Sequence, residues 1–238
     1  MLINLGLKKE YIMFDIIFMS YEEPNAEEHW EAVKQKYPWA RRVHGVKGLV
    51  NAHVECAKLC RTDMYYHIEA DNELTEEFDP SFKPSKYDRD TVHVWRAKNS
   101  VNDLVYGYSG IKLFPKKNVL ALDPTKVVDF TTSVSDKFKA VQIVGSTVHY
   151  DTDPYNTWKA SFRECAKLSA RIIDRQKDAE TDERLNTWCS VGKGAYGDYS
   201  IAGALDGTQY GKFANKDDMV KVNDWDWLKD RYEQATNR

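Results

Sequence analysis

The sequence predicts a single α/β domain with a mostly parallel central sheet and helices on both of its faces. Three observations carry that expectation. Short apolar runs alternate with helical patterns from Phe14 onward, giving the order β-α-β-α-β within about 60 residues. The chain has 238 residues, enough for one well-buried core of this type. Its 42% hydrophobic and 30% charged content is that of an ordinary soluble globular protein.

The elements follow in order. Phe14 to Tyr21 is an apolar, partly β-branched run of strand length, and Glu22-Glu23-Pro24-Asn25 breaks it. Asn25 is placed to cap a helix from Ala26 to Lys36, with Trp30, Val33 and Tyr37 on one face, and Pro38 stops it. Arg41 to Val46 reads as a second strand, and Gly48 opens a helix over 50–60. Asp63 to Ile68 is a third strand that runs straight into Glu69-Ala70-Asp71-Asn72. In parallel sheets ligands bind beyond the carboxyl ends of strands, so Tyr21-Glu22-Glu23 and Glu69-Ala70-Asp71 are expected to line one crevice.

Farther on, Thr91 to Arg96, Gly110 to Phe114 and Val141 to Val144 have strand character. Asp153-Pro154 is a strong helix start, with Asp at the N-cap and Pro at N1. The apolar stripe Trp158, Phe162, Cys165, Leu168 and Ile172 carries that helix to about Asp174. Six glycines between Gly192 and Gly211 predict a long loop suited to a lid, and Asp224 is expected to cap a last helix over 225–234.

The bulk charge excludes some classes. A net charge of −3 does not announce a nucleic-acid binder. Locally, however, Lys83 to Lys117 holds eight Lys or Arg against three acids, a run that could meet phosphates or be a solvated face. The cysteines, Cys56, Cys60, Cys165 and Cys189, lack zinc-site spacing and read as reduced thiols. No segment has the length and apolarity of a membrane span, and Lys8, Lys9, Glu10 and Asp15 interrupt any signal-peptide core, so a cytoplasmic protein is expected. Gly192-Lys193-Gly194-Ala195-Tyr196-Gly197 matches a dinucleotide fingerprint by spacing but lacks the strand-turn-helix context that gives the fingerprint meaning.

Glu69 and Asp71 are the chemically suggestive pair. Two carboxylates at i and i+2 on the turn after a buried strand can reach one hard cation, and Mn²⁺ or Mg²⁺ takes such oxygen ligands together with diphosphate oxygens. A solvated acidic turn is the alternative.

The run from Phe14 to Asn72 resembles the nucleotide-sugar-binding half of GT-A glycosyltransferases. The first strand ends in a base-contacting loop, here Ser20-Tyr21-Glu22-Glu23. A Gly-x-x-Asn-Ala stretch opens the second helix, here Gly48 to Ala52. The third strand ends in a DxD-type motif, here Glu69-Ala70-Asp71, with Glu in place of the first Asp. Over 14–212 the chain also resembles the glycosyltransferase-like proteins of tailed bacteriophages, through Ser20 to Asn25, Arg42 to Gly48, His93 to Arg96, Tyr106 to Gly110 and Phe162 to Cys165.

The resemblance implies a division of the chain and a set of roles. Residues 1–13 would be an extension, 14–80 would bind the nucleotide sugar, 81–212 would bind the acceptor and close the site, and 213–238 would form the C-terminal helix. Ser20, Tyr21, Glu23, Lys47, Asn51 and Glu69 would hold a nucleoside-diphosphate sugar, UDP-linked by preference. Asp71, with His149 as a further ligand, would hold Mn²⁺ or Mg²⁺; His93 is a rival for His149. Asp153 would be the general base, with Glu164 and Asp103 as rivals, and Lys112 and Arg96 are further candidates for the diphosphate. The acceptor it implies is hydroxymethylated cytosine in double-stranded DNA. A glycan, protein or lipid acceptor and a non-catalytic binding module are the alternatives. A nucleotidyltransferase is disfavoured, because the loop after the first strand is acidic rather than rich in Gly, Lys and Arg.

Overall fold

The computed structural model describes residues 13–107, 109–124, 127, 129–172 and 178–236. The expected extension 1–13 therefore lies almost wholly outside the described residues, as does Asp174. The fold is α/β, with an eight-stranded mixed sheet that curls into a half-barrel.

The first half follows the predicted order closely: β1 (Asp15–Ser20), α1 (Ala26–Lys36), β2 (Arg41–His44), α2 (Leu49–Leu59) and β3 (Met64–Glu69). β1 pairs in parallel with β2 on one side and with β3 on the other. Then come β4 (Asn72–Leu74), β5 (Val92–Asn99), β6 (Val105–Tyr106), β7 (Lys112–Pro115) and β8 (Phe138–Val148). The strand order is β2-β1-β3-β7-β5-β8-β4, with β6 beside β5. β1, β2, β3, β5 and β8 run one way and β4, β6 and β7 the other, so most strands point alike although the pairings are mixed.

Alternation along β1 shows why both faces carry helices. Ile16 and Phe18 pack with Ala26 and Val33 of α1, whereas Ile17 faces Cys56 and Ala57 of α2. The short helices α3 (Lys116–Leu120) and α4 (Phe130–Val134) extend the second layer through Val119, Phe130 and Val134. Gly48 starts α2 with φ +94°, a left-handed angle that favours glycine.

α5 (Pro154–Ser169) begins as expected. Asp153 accepts the Asn156 N–H at 2.8 Å, and Pro154 needs no N–H bond in the first turn. Asn25 differs from expectation. Its side chain does not cap α1; it donates to the His149 carbonyl at 3.3 Å and so ties the loop after β1 to the end of β8.

The larger correction concerns the glycines. The expected loop is confined to residues 191–196, and α7 (Gly197–Phe213) contains Gly203, Gly207 and Gly211. These lie four residues apart on one helix face. Any Cβ there would strike the carbonyls of Trp158, Phe162 and Ala166 in α5. Glycine here permits backbone-to-backbone helix contact, and that packing outweighs its poor helix propensity. α6 (Asp178–Ser190) and α8 (Lys216–Met219) were not foreseen. α9 (Trp225–Thr236) is capped by Asp224, whose Oδ1 accepts the N–H groups of Asp226 and Trp227. The four cysteines are free thiols, and among the described residues no helix is long and apolar enough to cross a membrane.

Candidate active site

A cavity of about 970 Å³ opens at the carboxyl ends of β1 and β3, and it extends between the sheet and α5. Its size suits a nucleotide-scale ligand.

The turn after β3 is fixed at each residue. The Ala70 carbonyl accepts the His29 Nδ1–H at 2.7 Å, and the Asp71 carbonyl accepts the His149 N–H at 2.7 Å. Asn72 is buried and acts as a pin. Its Nδ2 donates to Asp71 Oδ1 (2.8 Å) and to the Ser109 carbonyl (2.9 Å), and its Oδ1 accepts the Ser146 hydroxyl (2.5 Å). Glu69 and Asp71 therefore enter the cavity on a rigid mount.

Their environments differ. Glu69 Oε1 lies 3.2 Å from Lys112 Nζ and Oε2 accepts the Ser109 hydroxyl at 3.0 Å. Burial opposes its charge, but Lys112 and His67 hold its carboxyl well below the usual range. Asp71 has no such cation of its own. Burial, then the charges of Glu69 and Glu23, push it up to about 7. The turn thus stores one firmly ionised carboxylate beside one that lacks a positive partner.

Glu69 also belongs to a second group of donors. One ring nitrogen of His53, one of His67 and one carboxylate oxygen of Glu69 lie within 4.8 Å of one another. Both histidines are buried, and burial keeps them neutral by lowering their pKa. His53 Nδ1 and His67 Nδ1 lack hydrogen-bond partners, and His67 Nε2 faces Glu69 Oε1 at 3.7 Å. Neutral imidazoles with a carboxylate are a donor set for a borderline metal such as zinc, but Lys112 already neutralises that carboxylate.

The loop after β1 supplies a further wall. Ser20 Oγ lies 3.0 Å from His44 Nδ1 and accepts from Arg42 Nε at 2.8 Å. Glu23 folds back so that Oε2 accepts the Tyr21 N–H at 2.7 Å. Tyr21, Glu23, Glu69 and Asp71 line the cavity, the shared crevice expected of the two strand ends, and Ser20 and His149 line it too. The His149 ring is turned to Glu73, with Nε2 2.8 Å from Oε2.

Other expected residues stand elsewhere. Lys47 and Asn51 do not line the cavity: Asn51 donates to the Lys47 carbonyl, and α2 meets the cavity through Leu49, Ala52 and His53 instead. Asp153 does not line it either. Its carboxylate accepts from the Asn156 N–H, the Asn156 amide and the Thr152 hydroxyl at the start of α5. Asp103 is exposed and pairs with Lys98 and Lys193. His93 is buried in β5 away from the cavity lining. The basic run does not form one face: Lys112 is spent on Glu69, Arg89 on Asp63 and Lys98 on Asp103, while Arg96 lines the cavity and donates to the Val105 carbonyl.

Helix α5 contributes a further wall. Tyr155, Lys159, Arg163 and Lys167, four residues apart on α5, all line the cavity. Glu164, a rival to Asp153 as base, is buried at the cavity wall, and its Oε1 accepts the Tyr106 hydroxyl at 2.7 Å. Burial raises its carboxyl to about 7. The signal for this wall was present as a polar stripe beside the apolar stripe of the same helix.

No family model matches the chain, and no curated protein matches it.

Proposed function

We propose that the protein is a metal-dependent glycosyltransferase of GT-A type that moves a sugar from a nucleoside-diphosphate donor, UDP-linked by preference, to a hydroxyl acceptor. The observation that carries this is Asp71: a carboxyl on a rigid strand-end turn, facing a nucleotide-sized cavity and lacking a positive charge of its own. Its oxygens fit a hard cation, and Mn²⁺ or Mg²⁺ there would neutralise the charge on a departing diphosphate. Glu69 serves mainly by fixing Lys112 and the local charge. Ser20, Tyr21 and Glu23 flank the base and ribose.

For the acceptor proton we assign Glu164 in place of Asp153. A carboxyl held near neutrality by burial is suited to receive a proton at physiological pH, and Tyr106 orients it. The acceptor we favour is the hydroxymethyl group of cytosine in double-stranded DNA of a bacteriophage, on the resemblance alone.

The test is release of nucleoside diphosphate from a panel of nucleotide sugars with Mn²⁺ or Mg²⁺, with and without hydroxymethylcytosine DNA. Asp71→Asn should lower metal-dependent turnover at least about a hundredfold with the fold intact. Turnover that ignores the DNA moves the acceptor to a glycan, protein or lipid. A wild-type protein that neither binds nor turns over any nucleotide sugar sinks the reading and favours a binding module.

A further inference from the structure

Lys159 and Arg163 share the cavity with Asp71 and Glu23, and no described carboxylate reaches either within ion-pair distance. Each is anchored by other means. Lys159 Nζ donates to Asn156 Oδ1 at 2.7 Å and lies over the rings of Tyr155 (5.1 Å) and Trp225 (4.9 Å). Arg163 donates through Nε to the Val222 carbonyl at 2.7 Å and to Asn223 Oδ1 at 3.0 Å, with its guanidinium 4.7 Å from Trp225. An ammonium has three N–H donors and a guanidinium five, so each keeps donors beyond those contacts.

Two cations held side by side without counter-charge are costly in a half-buried wall. Burial and the neighbouring Arg163 hold the Lys159 ammonium down to about 8, while Asp153, Glu23 and Asp71 act in the opposite direction. Lys159 is therefore close enough to the acidic motif to feel it, yet is paired with none of its members. The aromatic and amide anchors aim the cations and leave their charge unspent. Fixed cations with spare donors are the chemistry that grips phosphate oxygens.

We propose that Lys159 and Arg163 form a phosphate-binding wall of the cavity. Two sources of phosphate fit: the diphosphate of a nucleotide donor, or the backbone of a DNA acceptor. The choice of source rests on the transferase reading, whereas the phosphate site stands without it.

The experiment titrates inorganic pyrophosphate with Mn²⁺ by calorimetry, and in parallel a hydroxymethylcytosine duplex by anisotropy at several salt concentrations. Both use the full chain and Lys159→Gln, which spares the contacts of Arg163 to Val222 and Asn223. A loss of about tenfold or more in pyrophosphate affinity, with DNA binding unchanged, supports the wall and gives the donor as source. A loss confined to DNA, with a salt slope shallower by about 1, supports the wall and gives the acceptor as source. Lys159→Arg should restore most of either loss and covers the case in which the glutamine variant does not fold. Wild-type protein that binds neither probe, or a glutamine variant that binds both as wild type does, overturns the proposal. Phosphate binding without nucleotide-sugar turnover would leave this wall standing and remove the transferase.

Discussion

The two charged walls of the cavity are built in opposite ways. The acidic wall is a strand-end turn whose backbone is bonded at Ala70 and Asp71 and pinned by the Asn72 side chain, so short side chains project from a fixed mount. The cationic wall is a helix face, where long side chains reach outward and are steadied by Tyr155 and Trp225. The first design fixes position to a fraction of an ångström and suits a metal, whose ligand distances tolerate little error. The second tolerates small displacements and suits diffuse anionic charge. One wall is rigid because its backbone is bonded, the other because its helix is packed.

The difference can be broken from the acidic side first. Lys112→Met should destabilise the protein by about 1–3 kcal/mol at pH 7, because it leaves the half-buried, ionised Glu69 without its partner. Urea denaturation measures this, and a double variant with Glu69→Gln should recover much of the loss. An unchanged midpoint in the single variant would mean that Glu69 is solvated rather than paired.

The helical side breaks at its packing. Gly207→Val places side-chain atoms against the Phe162 carbonyl of α5 and should cost about 3 kcal/mol, read as a lower melting temperature. It should also weaken pyrophosphate binding, since α5 carries Lys159. A variant that melts lower but binds as before would uncouple the helix seam from the cation wall.

The smallest effect sharpens the comparison by pH. Glu164 has a folded pKa of about 7 against an ordinary value of 4.5. A carboxyl raised by folding contributes stability that is full below pH 4.5 and is lost as pH rises through 7. Glu164→Gln should therefore flatten the pH dependence of unfolding across that window by up to about 3 kcal/mol. It should also abolish the rise in turnover expected near pH 7. A profile identical to wild type would remove Glu164 from the acceptor side.

The acidic wall was legible in the sequence because it depends on local order: an apolar strand followed at once by Glu69 and Asp71 declares a strand-end site before any contact is known. Ser20, Tyr21 and Glu23 were legible for the same reason. The cationic wall was not, because Lys159 and Arg163 are ordinary surface cations until α9 brings Trp225 beside them. Asp153 misled because its carboxylate is turned to Asn156 and Thr152 at the start of α5 and does not line the cavity. The glycines of α7 misled because their spacing, not their number, carried the meaning: Gly203, Gly207 and Gly211 fall on one helix face. The basic run, which could meet phosphates or be a solvated face, is partly neutralised locally, since Lys112, Arg89 and Lys98 each have a nearby acid.

The seam of α5 against α7 has a consequence for how such a chain can change over generations. The carbonyls of Trp158, Phe162 and Ala166 meet the glycines, while Tyr155, Lys159, Arg163 and Lys167 look into the cavity. The positions that form the glycine seam are thus separate from the positions the helix displays, although Tyr155 and Arg163 also tie α5 to Trp225 and Val222. Mutational drift along the displayed register can retune the ligand without loosening the scaffold, whereas the glycine register tolerates almost no novelty. A chain built this way keeps its architecture frozen while its appetite stays free to vary.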